Sequence, residues 1–290
     1  MTAPAGRPAE EAGGLRFRVV DAFTDEPFGG NPAAVFLLDG PDWPDERWMQ
    51  RVALEMSVSE SAFAVPLTPG SEADWGLRWF TPLVEDKMCG HATLATAHAL
   101  HQDRGSAGTV RFQTRSGVLT ARTADDGSVA LDFPRPELAA AQAPAGLARA
   151  LGAEPDRTFS TGDLGDVLAV FADEAAVRAL APDFAALAAL QRATSRPDRG
   201  VIATAPAAAS SRGHDYVSRF FTPAAGIPED PATGSAQTAL AAYWTAQLGR
   251  DRLDGLQVSP RTGRIGTCVR GDRVELTGRG VTVSHGWFLH

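Results

Sequence analysis

Apolar and polar residues alternate from Leu15 to Phe23, from Ala33 to Leu38, and through the longer stretch from Thr109 to Phe133. A period of two predicts half-buried β-strands. Between them, Asp45 to Met56 carries Trp48, Met49, Val52, Ala53 and Met56 at helical spacing, which predicts a helix with one apolar face. Two further segments, Ala92 to His101 and Ala236 to Leu248, consist largely of Ala, Thr and Leu and show no charged face. Such a helix is buried all round. Gly249 follows the second as a stop signal, and Asp183 to Ala193 predicts a surface helix.

This pattern occurs twice. Arg78-Trp79-Phe80-Thr81-Pro82 recurs as Arg219-Phe220-Phe221-Thr222-Pro223 at an offset of 141, and Glu85-Asp86-x-x-Cys89-Gly90-His91-Ala92 recurs as Glu229-Asp230-x-x-Thr233-Gly234-Ser235-Ala236 at 144. Arg115-Ser116-Gly117-Val118-Leu119 matches Arg261-Thr262-Gly263-Arg264-Ile265 at 146, and Val129-Ala130-Leu131 matches Val274-Glu275-Leu276 at 145. Ordered matches at a nearly constant offset identify a duplication. The predicted fold is α+β, with two pseudo-symmetric lobes that each wrap a β-barrel-like sheet around a central helix. Residues 1–14 read as a disordered tail, 15–136 as the N-terminal lobe and 137–290 as the C-terminal lobe, whose last strand packs back on the first. Pro134-Arg135-Pro136 and the Ala-rich Leu138 to Ala153 mark the boundary.

Composition narrows the function. With 290 residues, 44% hydrophobic and 21% charged, the chain has the make-up of a globular protein with room for two cores. A net charge of −8 repels phosphate and argues against nucleic acid. Lys87 is the only lysine, which removes a phosphate-binding Gly-Lys-Ser/Thr loop and argues against a lysine Schiff base. No apolar run approaches the ~20 residues that span a bilayer, and the N-terminus lacks the features of a signal peptide. Two cysteines, Cys89 and Cys268, do not make a disulfide framework, which fits the cytoplasm.

The repeated Glu-Asp turns are the first candidates for chemistry. A glycine before a buried helix lets a ligand approach the free N–H groups of the first turn, where the helix dipole favours an anion. Gly90 and Gly234 serve equally well as spacers for tight packing, and their duplication beside His91 and Ser235 tilts the reading toward function. Glu60, in Ser57-Val58-Ser59-Glu60-Ser61-Ala62-Phe63-Ala64-Val65, shares a strand face with Val58, Ala62 and Ala64. There it is either a desolvated carboxylate suited to proton transfer or an exposed strand-end residue. His91, His98 and His101 fall on one broad helical face, but ten helical residues span ~15 Å, so no metal site follows. Trp79, Phe80, Phe220 and Phe221 read as core.

Val20-Asp21-Ala22-Phe23, Gly30-Asn31-Pro32-Ala33-Ala34-Val35, Ser59-Glu60-Ser61-Ala62-Phe63, Cys89-Gly90-His91-Ala92-Thr93-Leu94-Ala95 and Glu229-Asp230-Pro231-Ala232-Thr233-Gly234-Ser235-Ala236 resemble the motifs of the phenazine-biosynthesis PhzF-like family. The resemblance runs from about Leu15 to the C-terminus and implies the diaminopimelate-epimerase-like fold. It implies a cofactor-independent isomerase, often a homodimer, whose founding member shifts a proton within a dihydro-hydroxyanthranilate ring; the pairing of Glu60 with two anion-accepting turns points to a small carboxylated substrate. It assigns Glu60 as general acid/base, and Gly90, His91, Asp230 and Ser235 to substrate positioning and proton handling, with Asn31 in the same cleft. Internal symmetry makes Asp86 the equal of Asp230; only the family comparison favours the latter. Racemases of this fold use one cysteine at each helix start. Here Cys89 is matched by Thr233, whose hydroxyl is too weak an acid to serve as the second base. Cys89 is therefore either catalytic or a small buried thiol. A lyase or dehydratase on the same scaffold, and a silent ligand-binding homologue, are the alternative functions.

Overall fold

The computed structural model describes residues 14–105, 108–194, 196, 199–209 and 213–289, so the expected tail lies, apart from Gly14, outside the described residues. The first lobe contains β1 (Leu15–Ala22), β2 (Asn31–Leu37), α1 (Glu46–Met56), β3 (Glu60–Pro66), β4 (Trp75–Phe80), β5 (Glu85–Asp86), α2 (Gly90–Arg104), β6 (Gly108–Thr114), β7 (Gly117–Thr123) and β8 (Val129–Pro134). The chain continues through β9 (Ala139–Ala140), α3 (Leu147–Leu151), β10 (Arg157–Ser160), β11 (Val167–Val170), α4 (Glu174–Ala179), α5 (Phe184–Arg192), β12 (Val201–Pro206) and β13 (Tyr216–Thr222). It ends with β14 (Ile227–Asp230), α6 (Gly234–Leu248), β15 (Arg252–Gln257), β16 (Gly263–Arg270), β17 (Arg273–Gly278) and β18 (Gly280–Phe288).

The strand pairing reproduces the duplication. In the first lobe β2 runs parallel to β3, β3 antiparallel to β4, and β4 parallel to β6. In the second, β11–β12, β12–β13 and β13–β15 repeat those relations. The sheets join where β8 pairs antiparallel with β17, Leu131 opposite Leu276. β18 leaves the second lobe and pairs along β1, whereas the short β9 pairs with β10.

Each sheet curves around its central helix. Residues 91–100 of α2 are all buried, because Ala, Thr and Leu present no side chain that demands water. Both central helices begin on the glycine itself, two residues earlier than the polarity pattern suggests. The outer faces are covered differently. One helix, α1, capped by the Asp45 carboxylate on the Trp48 N–H, packs over β3 with Phe36 and Phe63 stacked at 4.9 Å. In the second lobe α3, α4 and α5 build a separate apolar layer over the sheet, so the Ala-rich stretch after Pro136 is partly ordered. Among the described residues no helix is long and apolar enough to cross a membrane.

The repeated Arg and Glu-Asp motifs have a structural origin. Neighbouring residues of a strand face opposite sides, so in β5 and β14 the Glu points outward and the Asp inward. Each outward Glu accepts a forked ion pair from the Arg of the preceding repeated motif. Arg78 Nε and Nη2 each lie 2.7 Å from the Glu85 oxygens, and Arg219 reaches Glu229 at 2.9 and 2.8 Å. Arg219 and Glu229 are 11% and 9% exposed. Arg219→Met is therefore expected to cost about 3 kcal/mol, because it strands a desolvated carboxylate. Arg78→Met should cost less, since Arg115 also pairs with Glu85. Urea unfolding of both variants checks this, and equal costs would refute the account.

Candidate active site

The inward-facing groups meet where the two central helices begin. A Cβ built on Gly90 would lie 3.4 Å from the Gly234 Cα, and the reverse contact is the same. The helix starts thus abut, and the packing reading of these glycines accounts for the contact. Neither Cys89 nor Thr233 caps its helix through the side chain.

Around this contact lie Glu60, His91, Asn31, Cys89 and Asp230, all buried. Glu60 opens β3 beside Ala33 of β2 and shares a face with Ala62 and Ala64, both fully buried. The strand-end alternative is set aside: Glu60 is only 7% exposed. His91 Nε2 lies 3.0 Å from Glu60 Oε2, but the approach is poorly aligned and leaves that oxygen an open acceptor.

Asn31 is the hub. Its Nδ2 donates to Asp230 Oδ1 at 2.8 Å and to the Ala232 carbonyl at 3.2 Å, and lies 3.1 Å from His91 Nδ1. A carboxylate and a carbonyl around one amide end require nitrogen there. His91 Nδ1 lies against that NH2 group and 3.4 Å from the Cys89 thiol, both donors that disfavour a proton on Nδ1, so when the ring is neutral its proton belongs on Nε2, toward Glu60. The other Asp230 oxygen takes the Thr233 hydroxyl. Gln257 braces that turn by accepting from the Thr233 N–H at 2.8 Å and donating to the Asp230 carbonyl at 2.6 Å.

Electrostatics follow from burial among like charges. Desolvation, reinforced by Glu60, raises the Asp86 and Asp230 carboxyls above their usual range. Burial by itself would lower the His91 pKa, but the carboxylates of Glu60, Asp230 and Asp86 outweigh it and raise the ring. The Cys89 thiol is pushed well up by burial and by the same carboxylates, which makes it a poor thiolate. Glu60, Cys89 and His91 present ligand atoms within 4.8 Å of one another, a spacing that a small cation could use. That donor set does not suit a metal, because Asn31 keeps the proton on His91 Nε2 and burial keeps one on Cys89.

Glu60, His91, Asn31 and Asp230 are thus brought together. Asp86 faces the same region from β5, held by the Lys87 N–H at 2.6 Å. Ser235 is half-buried and joins none of these contacts among the described residues; only its carbonyl is bonded, by Thr238. Sequence reasoning missed Gln257, Arg261 and Gly200. Arg261 and Gly263 did stand in a repeated motif, but Gln257 and Gly200 carried no signal. Gly200 is the counterpart of Glu60: Ser61 pairs with Phe80, and Val201 pairs with the equivalent Phe221. A Cβ at Gly200 would fall 2.4 Å from the Phe220 ring, so the second lobe has no room for a matching carboxylate. Trp79, Phe80, Phe220 and Phe221 are buried core residues, and His98 bonds Thr282 of β18 at 3.2 Å.

A family model described as phenazine biosynthesis-like protein matches residues 20–286. An uncharacterized isomerase of Pseudomonas aeruginosa is 48% identical over 263 residues, covering 90% of this chain and 93% of the relative. The crystal structure of a PhzF-family protein from Enterococcus faecalis aligns with a TM-score of 0.83 and 36% identity, over 94% of this chain and 98% of that one. At the level of fold alone, a hydroxyproline epimerase from Agrobacterium vitis with bound trans-4-hydroxy-L-proline aligns with a TM-score of 0.59 and 13% identity, over 94% and 92% of the two chains. The two-lobed architecture is the epimerase-like fold that the sequence resemblance implied.

Two outcomes follow from the site electrostatics. With its pKa raised on folding, Asp230 binds its proton more tightly in the native state. It contributes stability below the unfolded value of about 3.9, and that contribution is lost as pH rises through the folded value. Asp230→Asn should therefore weaken the fall in urea midpoint between mildly acid and neutral pH, and an unchanged slope would count against the buried carboxyl. In the native protein iodoacetamide should label Cys89 at least ~100-fold more slowly than the half-exposed Cys268 at neutral pH. Peptide mass spectrometry measures this, and comparable rates would sink the inert-thiol assignment.

Proposed function

The chain belongs to the family of phenazine biosynthesis-like proteins and is an isomerase of that family; from this premise we propose that it moves a proton between carbons of a small carboxylated substrate, with Glu60 taking and returning it. The observation that carries the reading is that Glu60 has no counterpart at the matching position of the other lobe. Glu60 stands in one lobe, and its counterpart Gly200 is filled by the Phe220 ring. The cysteine pair of a two-base racemase is also missing: Cys89 faces Thr233, whose hydroxyl is spent on Asp230. One base works on one face of the substrate, so the proton returns to the face it left.

The substrate carboxylate binds at the Gly90 and Gly234 helix starts, where first-turn N–H groups and two helix dipoles converge. Negative charge that develops as the C–H bond breaks is stabilised by the same dipoles. His91 offers its Nε2 proton beside Glu60 and supports whichever of the two holds the transferred hydrogen. Asn31 and Asp230 hold the ring in place, and Ser235 lines the substrate side. The hydroxyproline epimerase, which binds a small amino acid on the same fold, supports a substrate of that size. The reading carries with it a cytoplasmic homodimer that needs no cofactor.

Incubation in deuterated water with a panel of small unsaturated and hydroxylated carboxylic acids tests it. The expected product has unchanged composition and carries solvent deuterium. Glu60→Gln should lower turnover by about 10³-fold, the scale of a lost general base. Full activity in Glu60→Gln would overturn the assignment, and a product of altered composition would mean elimination instead.

A further inference from the structure

The segment between β1 and β2 adopts an unfavourable conformation. Phe28 has φ +69° and is 79% exposed, and Gly30 has φ +58° with a would-be Cβ only 2.1 Å from the Ala22 carbonyl oxygen. Left-handed backbone at a non-glycine residue is sterically unfavourable, so something must hold the segment. Apart from Asp21, the holding groups come from the other lobe. Arg261, in the turn between β15 and β16, donates from Nε to the Gly30 carbonyl at 3.1 Å and from Nη2 to the Gly29 carbonyl at 2.8 Å. The same Nη2 pairs with Asp21 Oδ1 at 2.6 Å, while Asp21 Oδ2 takes the Phe28 N–H at 2.8 Å. The Gly30 N–H donates to the Thr262 carbonyl at 2.9 Å.

The Gly30 carbonyl belongs to the peptide plane that leads into Asn31. Fixing that plane fixes where the Asn31 side chain starts, and its Nδ2, together with the Cys89 thiol, disfavours a proton on His91 Nδ1. We propose that Arg261 is a positioning residue that sets the His91 tautomer from across the lobe boundary, through Gly29, Gly30 and Asn31. The proposal rests on the proton-transfer reading of the site, since its consequence is an Nε2 proton held toward Glu60.

The duplication supports it. Arg115, the repeat counterpart of Arg261, is 55% exposed and stays on its own lobe with Glu85 and Glu46. In the half of the site that Arg115 could serve, the counterpart of His91 is Ser235, which has no tautomer to set. The arginine has been turned across the boundary only where an imidazole needs orienting. An Arg that served merely as a strut would lower stability when lost and leave the ring untouched.

The test uses the full chain labelled with ¹⁵N-histidine, with His91 assigned from the spectrum of His91→Gln. Long-range ¹H–¹⁵N correlation spectra separate the two neutral tautomers, and no substrate or turnover is required. At a pH where the ring is neutral, His91 of the native protein should be mainly the Nε2–H form, with the Nδ1–H form a small minority. In Arg261→Met the Nδ1–H form should rise by about five- to tenfold, the scale of one lost hydrogen-bond preference. Asn31→Ala should produce the same change with Arg261 intact. Arg261→Lys, which can hold Asp21 but lacks the fork, should fall between. Should Arg261→Met fail to fold, Asp21→Asn slackens the same guanidinium and gives the reading. A folded variant that keeps the native tautomer ratio while losing thermal stability would overturn the proposal. Because the readout is independent of activity, failure of the Glu60 assignment would leave this result standing.

Discussion

Two helices that start against each other set the terms for the whole molecule. At the Gly90–Gly234 contact a Cβ on either residue would stand 3.4 Å from the opposite Cα, so the positive ends of two helix dipoles are forced together. Each end behaves like roughly half a positive charge, and bringing them into contact without negative charge nearby would be unfavourable. The neighbourhood supplies it through Glu60, Asp86 and Asp230. Those carboxylates are in turn desolvated, which raises the pKa of the two aspartates. The site thus gathers three carboxyl groups beside two positive helix ends.

Duplication and divergence have acted on different atoms of the same motifs. The outward Glu of each Glu-Asp pair keeps its arginine fork in both lobes, because each sheet needs the same brace at the same corner. The inward positions share no such demand, and there the lobes part: Cys89 against Thr233, His91 against Ser235, Glu60 against Gly200. Gln257 locks the second turn through the Thr233 N–H and the Asp230 carbonyl. Its register counterpart in the first lobe, Thr114, bonds only within its own hairpin. The second lobe keeps the braced turn, and the first keeps the Glu60 carboxylate.

Much of this was legible in the chain. Alternation marked β1, β2 and β6 to β8; helical spacing marked α1 and α5; and uniform apolarity marked α2 and α6 as buried. The central helices were read two residues short, because glycine contributes nothing to a polarity pattern although it can begin a helix. Glu60 was open between burial and exposure, since a strand's first residue can face either environment. Only the pairing of β3 with β2 and β4 put it under cover.

What the sequence determined by itself was the repeat, the helix types and the identity of the groups that differ between the halves, because these depend on residues near one another or on direct comparison of two segments. Tertiary structure decided the rest. Asn31 lies 60 residues from His91 and 199 from Asp230, and no local pattern announces that one amide will stand between them. Gly200 looked like any loop glycine until strand register matched it to Glu60. Arg261 looked like the copy of Arg115 until it was seen to reach into the other lobe. Contacts of this kind are made by the closing of two sheets around two helices, and they exist only once the chain has folded.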